Sequence, residues 1–493
     1  MALVIENAQV VTLEKQRPVL EKQQLVIDRG VIAEMGRRIQ RPERFRIERR
    51  VDCTGKIVMP GLVNTHSHLT EILQRSFRDN VRMESWRGYR ALTEDKACLT
   101  PKEIGAAARL ACSEMLKNGV TAVVDHFSTR PGLSVAKMEA ILGAFEETGM
   151  RGVLAASLRD QDFLRLINRP RKRNSHLARS EEPWRDEVLA VLERLRKTPG
   201  NSALMLGPSS PLNCSDSLLR EVVRLAEQHD LGIHTHLLET RLQRWAAFKL
   251  HRKGLVEHLH HLDFLSPRLS AAHSIWLDER EIDLVASSGA SVVHNPASNL
   301  KLGSGIAPVI KLKRAGVNVA LGTDGGDTSD TYSIFDQMRL AALLSRLTAE
   351  NSKHWVTAFD ALRMGTINGA EAVPAWRKRI GKVKPGYCAD LLILKPALGL
   401  YPVANVIHEL IFCERGQSVD MVLVDGQIVV EQGRLTRVDE ESVKAEVMPI
   451  SKKMRRIYDL IKKSPNKAEL SLHKLYRQAF ASGARRSLAN EAS

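Results

Sequence analysis

Eight apolar runs of strand length recur between Ile57 and Gly326, separated by stretches with helical periodicity. No other feature restricts the fold so tightly. The runs are IVMPGLVNTHSH, VTAVVDHF, RGVLAASLR, SALMLGPSSP, GIHTHLLE, LSAAHSI, ASVVHNP and VNVALGTDGG. Between them lie segments such as PKEIGAAARLACSEMLKNG, where Pro101 suits a first helical turn and Gly119 an end. Another, SDSLLREVVRLAEQHDLG, opens on cap residues and closes near Gly232. Continuously apolar strands imply a parallel sheet covered by helices. Eight such units over roughly 300 residues predict a (β/α)₈ TIM-type barrel with long loops.

Polar residues gather where these runs end. His66 and His68 close the first, Asp125 and His126 the second, Ser209 and Ser210 the fourth. His236 and Glu239, then His273, His294 and Asp324, close later ones. Barrel active sites collect at the C-terminal ends of the strands, so this placement points to a catalytic face.

The flanks read differently. LVIENAQVVTL and QQLVIDRGVIAEMG are alternating strands with Asp28-Arg29-Gly30 as a turn, and RRIQRPERFRIERR reads as polar surface. After about Gly381, YCADLLILK and SVDMVLVDGQIVVEQGRL repeat that style, with Asp425-Gly426 as a hairpin turn. The two ends therefore predict one composite β-sandwich domain, residues 1–56 with 381–440, around a barrel of 57–380. A basic helical tail, 441–493, follows.

The net charge is +16, and half of it falls after Ser451, where eleven basic residues face three acidic ones. Such a run can meet nucleic acid or acidic lipid. We read it as a solvated tail and expect no nucleic-acid partner. No apolar run is long enough to span a bilayer, and MALVIENAQVVTLEKQ reads as a strand without a basic leader. Six scattered cysteines with no C-x-x-C pair fit reduced thiols and a cytoplasmic location.

Two histidines two apart on a strand share a face. His66 and His68 can therefore converge inward, and His234 and His236 repeat the spacing. His236 lies nearer its strand end and is the better ligand, while His234 would sit one layer deeper. With Asp324 the set becomes three neutral nitrogens and a carboxylate, suited to Zn²⁺, with Fe²⁺ or Mn²⁺ as alternatives. A bound water would drop in pKa toward ~7 and supply hydroxide at neutral pH. Gly325 and Gly326 leave room for close approach beside it.

The pieces MPGLVNTHSH, HTHLLET, AAHSIWL, HNPASNLKLGSGIAPV, LGTDGGDTSD and YCADLLIL, in this order, resemble the amidohydrolase superfamily. Within it the chain is similar to the branch of S-adenosylhomocysteine/methylthioadenosine deaminases and triazine chlorohydrolases, from about Leu3 to Arg434. The resemblance implies His66, His68, His236 and Asp324 as metal ligands. It implies Glu239 as proton shuttle, His273 as the group polarising the electrophile, and Asp324 as acceptor of a proton from the attacking water. A second metal in such barrels commonly needs a carboxylated lysine, and SALMLGPSSP has none, so one divalent ion per chain is expected. A homo-oligomer is implied by relatives only.

Adenosine-type relatives end the fourth strand in A-P-H-A-P. Here GPSSP puts Ser209 where that histidine is expected. A serine still hydrogen-bonds but is short and uncharged, which leaves room for a smaller or different heterocycle. Further candidates to contact substrate are Trp86, Glu94 and Glu71 in the long first loop, His126, Asn299 and Arg159. Arg159 opens the basic loop RDQDFLRLINRPRKRNSHLARSEEPW and could favour an anionic substrate group. The expected activity is hydrolytic deamination or dehalogenation of an amino-substituted N-heterocycle of purine, pyrimidine, pterin or triazine type. The alternatives are cyclic amide or imidazolone-type C–N hydrolysis on the same scaffold and a non-catalytic binding protein.

Overall fold

The computed structural model describes residues 2–40, 42–130, 132–168, 184–198, 200–463, 472 and 474–480. Much of the basic third loop (169–183) and of the terminal segment (464–471, 473 and 481–493) lies outside these described residues.

Eight parallel strands form the barrel: Leu62–His68, Val120–Phe127, Arg151–Leu158, Ser202–Pro208, Gly232–Leu237, Leu269–His273, Ser291–His294 and Asn318–Leu321. Each pairs with the next in sequence order. The last strand breaks at Gly322 and Thr323 and resumes as Asp324–Gly325, which pairs with Ser67 and His68 and joins the ends of the sheet. An amide–hydroxyl pair fastens this seam. Asn64 Nδ2 donates to Thr323 Oγ1 at 2.8 Å, and Thr323 N donates to Asn64 Oδ1 at 3.0 Å. The strands are buried along both faces, as their continuous apolar runs require.

The first apolar run proves to be two strands. Ile57–Pro60 lies in the other sheet, between Ala2–Val11 and Leu391–Leu394. Gly61 makes the passage between sheets, where a Cβ would fall 2.1 Å from Thr121 Oγ1. The barrel thus begins at Leu62, a break that an unbroken apolar run conceals.

The second sheet combines both chain ends, running from Arg434–Leu435 through Leu391–Leu394 and Ile57–Pro60 to Ala2–Val11, Val19–Asp28 and Val31–Gly36. Both expected hairpin turns form, with Arg29/Gly30 and Asp425/Gly426 all at positive φ. The described residues of the RRIQRPERFRIERR stretch are mostly exposed, with Ile39 buried, and the stretch contributes a further strand, Ile47–Asp52, parallel to the first. A buried ion pair ties this domain to the barrel floor: Arg151 reaches Asp390 through Nε (2.7 Å) and an NH₂ nitrogen (2.9 Å).

The basic terminal segment is not simply a solvated tail. Glu440–Lys462 is a 23-residue helix whose Val443, Val447, Ile450, Met454, Tyr458 and Ile461 are buried. Their three- and four-residue spacing makes an apolar stripe that packs on the helices Met83–Ala97 and Pro101–Lys117, while its lysines and arginines face mostly outward. Among the described residues no helix is long and apolar enough to cross a membrane. All six cysteines are unpaired.

Candidate active site

The geometry is set at the strand ends. Leu69 N donates to Asp125 Oδ1 (3.0 Å), and the buried Tyr332 hydroxyl donates to the His68 carbonyl (3.0 Å), which fixes the chain just past the two histidines. His273 and Asp324, both non-glycine, sit in the left-handed region at φ 68° and 64°. Such backbone costs on the order of 1–3 kcal/mol and concentrates at functional sites.

His66, His68, His236, His273, His126 and Asp324 converge. Three overlapping sets have donor atoms within 4.8 Å of one another: His66/His236/His273, His68/His126/His236 and His66/His68/Asp324. His68 Nδ1–H donates to the His126 carbonyl (2.7 Å), and His236 Nδ1–H donates to the Ser209 carbonyl (2.6 Å). With both protons placed outward, the Nε2 lone pairs of His68 and His236 face each other at 3.2 Å. Two facing acceptors repel unless a cation lies against them. His66 Nε2 is buried with no hydrogen-bond partner among the described residues and lies 3.5 Å from Asp324 Oδ1, which is 3.4 Å from His68 Nε2. Burial holds His68 and His236 well below the usual imidazole range and so keeps them neutral. Burial opposes the Asp324 charge, but the surrounding imidazoles outweigh it and hold the carboxyl well below the usual range. The donor set thus fits one divalent cation.

The pair of histidines on the fifth strand separates by depth. His234 Nε2 meets His66 Nδ1 at 2.8 Å, and its Nδ1 meets Ser270 Oγ at 2.7 Å. It lies behind His66 and outside the three donor sets.

Glu239 is buried just past the fifth strand. Ser304 Oγ approaches its Oε1 at 3.4 Å, and burial pushes the carboxyl up to about 7. His273 Nε2 lies 3.9 Å from Asp324 Oδ2. The His273 Nδ1 is flanked by the Asn299 amide oxygen at 2.8 Å and the Asn295 amide nitrogen at 3.4 Å. Turning the Asn299 amide over makes Nδ1 an acceptor and puts the proton on Nε2, facing the site.

The predicted substrate contacts divide. His126 is wedged against His68 and His236, with ring centroids 5.4 and 4.7 Å away, and neither of its nitrogens has a partner among the described residues. Burial lowers its pKa to about 3, so it is neutral. Ser209 Oγ and the Asn299 amide atom turned away from His273 are likewise buried without partners among the described residues. Trp86 has spent its polar atom, since its indole N–H donates to Asp327 Oδ2 at 2.9 Å and its ring lies under Arg90. Glu94 gives one oxygen to Arg90 (3.3 Å) and Gln74 (3.5 Å). Glu71 pairs with Arg90 and lies against Gly325, where an added Cβ would sit 1.7 Å from its Oε2. Solvent reaches Arg159 just past the third strand, yet its protein surroundings, with Arg130, Arg87 and Arg90 nearby, pull its guanidinium down to about 10.

Two buried residues escaped the sequence reading. Ser298 Oγ donates to Asp324 Oδ2 at 2.5 Å. Glu84 accepts from Thr240 Oγ1 at 2.6 Å through Oε1, has no partner for Oε2 among the described residues, and its carboxyl is pushed up by burial. Nothing distinguishes Ser298 within HNPASN, and an acid in a first helical turn is ordinary. Only the pairing across 156 residues marks Glu84 out.

Comparison with known proteins identifies the family. Residues 57–429 match the amidohydrolase family. The 5-methylthioadenosine/S-adenosylhomocysteine deaminase of Thermoanaerobacter pseudethanolicus is 31% identical over 446 residues, 90% of this chain and 97% of that protein. The 5'-deoxyadenosine deaminase of Methanosarcina mazei is 32% identical over 457 residues, 92% of this chain and 98% of that protein. The atrazine chlorohydrolase of Arthrobacter aurescens, solved in complex with zinc, superposes with a TM-score of 0.83 at 26% identity, covering 91% of this chain and all of that one. The chain belongs to the amidohydrolase family.

Proposed function

We propose that this chain is a metal-dependent hydrolase that removes an amino group, or a halide, from a ring carbon of an N-heterocycle and leaves the ring intact. The observation that carries the reading is the pair of facing Nε2 atoms of His68 and His236, 3.2 Å apart and flanked by the buried Asp324. In this reading His66, His68, His236 and Asp324 hold one divalent cation, with zinc favoured because the solved relative carries it. A cation there supplies a nucleophile at neutral pH by lowering the pKa of water toward ~7.

The protein's own groups do the rest. Asp324 accepts the proton of the attacking water. Glu239, its carboxyl pushed up to about 7, holds a proton near neutrality and delivers it to the ring nitrogen; it recovers a proton from the added hydroxyl as the carbonyl forms, and the proton that Asp324 accepted leaves with the amine. His273, with its proton on Nε2, stabilises charge that develops at the attacked carbon. His126, Ser209 and Asn299 keep unspent polar atoms and can read the heterocycle's edge.

The curated relatives favour amino-purine substrates, and Ser209 in place of the expected histidine favours a heterocycle that needs no charged contact there. Arg159 supports an anionic substituent; equal turnover of anionic and neutral analogues of one heterocycle overturns that part. The reading also places the protein in the cytoplasm, on its unpaired cysteines, and as a homo-oligomer, for which exposed Leu347, Leu398 and Tyr401 supply apolar surface.

Ammonia and halide release across aminopurine nucleosides, aminopyrimidines, pterins and triazines, with metal content measured on the same sample, tests the proposal. Release with an intact ring supports it. Ring-opened products point instead to cyclic amide hydrolysis, and a metal-free, inactive protein overturns it.

A further inference from the structure

The C-terminal segment lies beyond residue 429, where the match to the family ends, and the hydrolase reading gives it no task. Its path is specific. Helix Glu440–Lys462 runs antiparallel to helix Pro101–Lys117, matched by three successive ion pairs: Glu440 with Lys117 (2.7 Å), Glu446 with Arg109 (2.5 Å) and Lys453 with Glu103 (2.9 Å). Lys117 sits just ahead of the second strand, at the barrel's N-terminal face, so the helix climbs the outside of the barrel toward the catalytic face. There Tyr458 packs on Phe77 and Tyr89, with Arg78 over its ring, all from the loop after the first strand.

Residues 474–480 are again helical, and Leu472, Leu475 and Ala479 are buried. On the same segment Tyr476 lies 4.8 Å from the Arg82 guanidinium. Phe480 lies between two arginines, 5.8 Å from Arg82 and 5.0 Å from Arg241. Arg241 also covers Trp276, at 4.6 Å. Arg82 is the residue from which helix Met83–Ala97 starts, and Arg241 begins helix Arg241–His251. Directly beneath, the next residues of the same two loops are joined by the Thr240 to Glu84 hydrogen bond. Trp276 completes the circuit, since its indole N–H donates to the Ser304 carbonyl (2.8 Å) and Ser304 Oγ approaches Glu239.

We propose that residues 475–480 are a built-in wall of the catalytic mouth, in which Phe480, held between Arg82 and Arg241, clamps the loop after the first strand to the loop after the fifth and so positions Glu239. Phe480 touches no reacting group and acts through Arg241 and the Glu84–Thr240 bond. The clamp itself is independent of the reaction; only the task of Glu239 rests on the hydrolase reading.

Four full-length variants test it: Phe480→Ala, the double variant Tyr476→Ala/Phe480→Ala, Phe480→Trp, which keeps an aromatic face for both arginines, and the exposed control Lys474→Ala. Amide hydrogen exchange reports residues 82–97 and 239–251 without any need for turnover, and thermal unfolding and metal content confirm that each variant is folded and loaded. In the two alanine variants, exchange in both segments quickens at least tenfold, and kcat for the heterocycle found by the screen falls at least fivefold with KM within twofold. Phe480→Trp restores both, and Lys474→Ala changes neither. Exchange within twofold of the parent in the double variant overturns the clamp. Quickened exchange with unchanged kcat overturns the positioning of Glu239. Quickened exchange in a protein whose parent turns over no heterocycle supports the clamp and sinks the hydrolase reading instead.

Discussion

Replacing Ser298 by alanine removes a hydroxyl that holds the outer oxygen of Asp324. Ser298 Oγ donates to Asp324 Oδ2 at 2.5 Å, and both side chains are buried. The other carboxylate oxygen stays with Gly325 N (2.8 Å) and the His66 and His68 imidazoles, so the charge survives but its orientation is freed. A buried hydrogen bond to an ionised group contributes about 1.5–3 kcal/mol. At 1.4 kcal/mol per tenfold, that range corresponds to roughly a 10- to 150-fold change in an equilibrium constant. Partners that orient metal ligands affect affinity on the same scale, about 10- to 100-fold. Ser298→Ala should therefore fold normally and bind zinc tens of times more weakly, measured by competition with a chelator of known affinity. A zinc affinity within twofold of the parent refutes the reasoning, because Asp324 would then be oriented without Ser298.

Glu239→Gln keeps the shape of the side chain but cannot deliver a proton. It should lower kcat by about 10²- to 10⁴-fold with metal content unchanged, and a loss under tenfold in a steady-state assay removes Glu239 from the proton path. Arg151→Met strands Asp390 as a buried charge at the domain junction. A loss of about 3–5 kcal/mol in denaturant unfolding is expected, and a loss below 1 kcal/mol counts against that pair as the fastening. Asp125 gives a pH dependence. Burial pushes its carboxyl from 3.8 to about 7, so across that window the folded chain binds more protons than the unfolded one, and stability falls as pH rises. Three units correspond to at most about 4 kcal/mol, a slope that Asp125→Asn should remove. Parallel stability–pH curves for parent and variant contradict it.

The barrel was legible because its signal is periodic and local. Runs such as VTAVVDHF, Val120–Phe127, coincide with a strand end to end. Spacing of two puts His66 and His68 on one face, and the same rule, with depth along the strand, separates His236 from His234. What the sequence hid has physical causes. Ile57–Pro60 and Leu62–His68 read as one run because both are buried, and only the missing Cβ of Gly61 marks the change of sheet. Eleven basic charges after Ser451 masked an apolar stripe whose partners lie more than 300 residues earlier. Trp86 and Asp327 meet across 241 residues, so the spent indole N–H could not be read from either neighbourhood.

The distribution of satisfied and unsatisfied groups then separates holding from reading. Every group that must keep its position is bound from behind: His68 and His236 by backbone carbonyls, Asp324 by Ser298 and Gly325, His273 by Asn299, and the seam beneath them by Asn64 and Thr323. These contacts stabilise two left-handed residues and a cluster of neutral imidazoles that would otherwise relax. Among the described residues, both nitrogens of His126, Ser209 Oγ, the Asn299 amide atom turned away from His273 and Glu84 Oε2 are left buried and unpaired. A buried polar atom with no partner costs about 1–3 kcal/mol, and a substrate that supplies the partner recovers it. Selectivity should therefore lie in those few atoms. The Ser209 hydroxyl, on the strand end whose carbonyl holds His236, is the one that couples substrate choice most directly to the metal site.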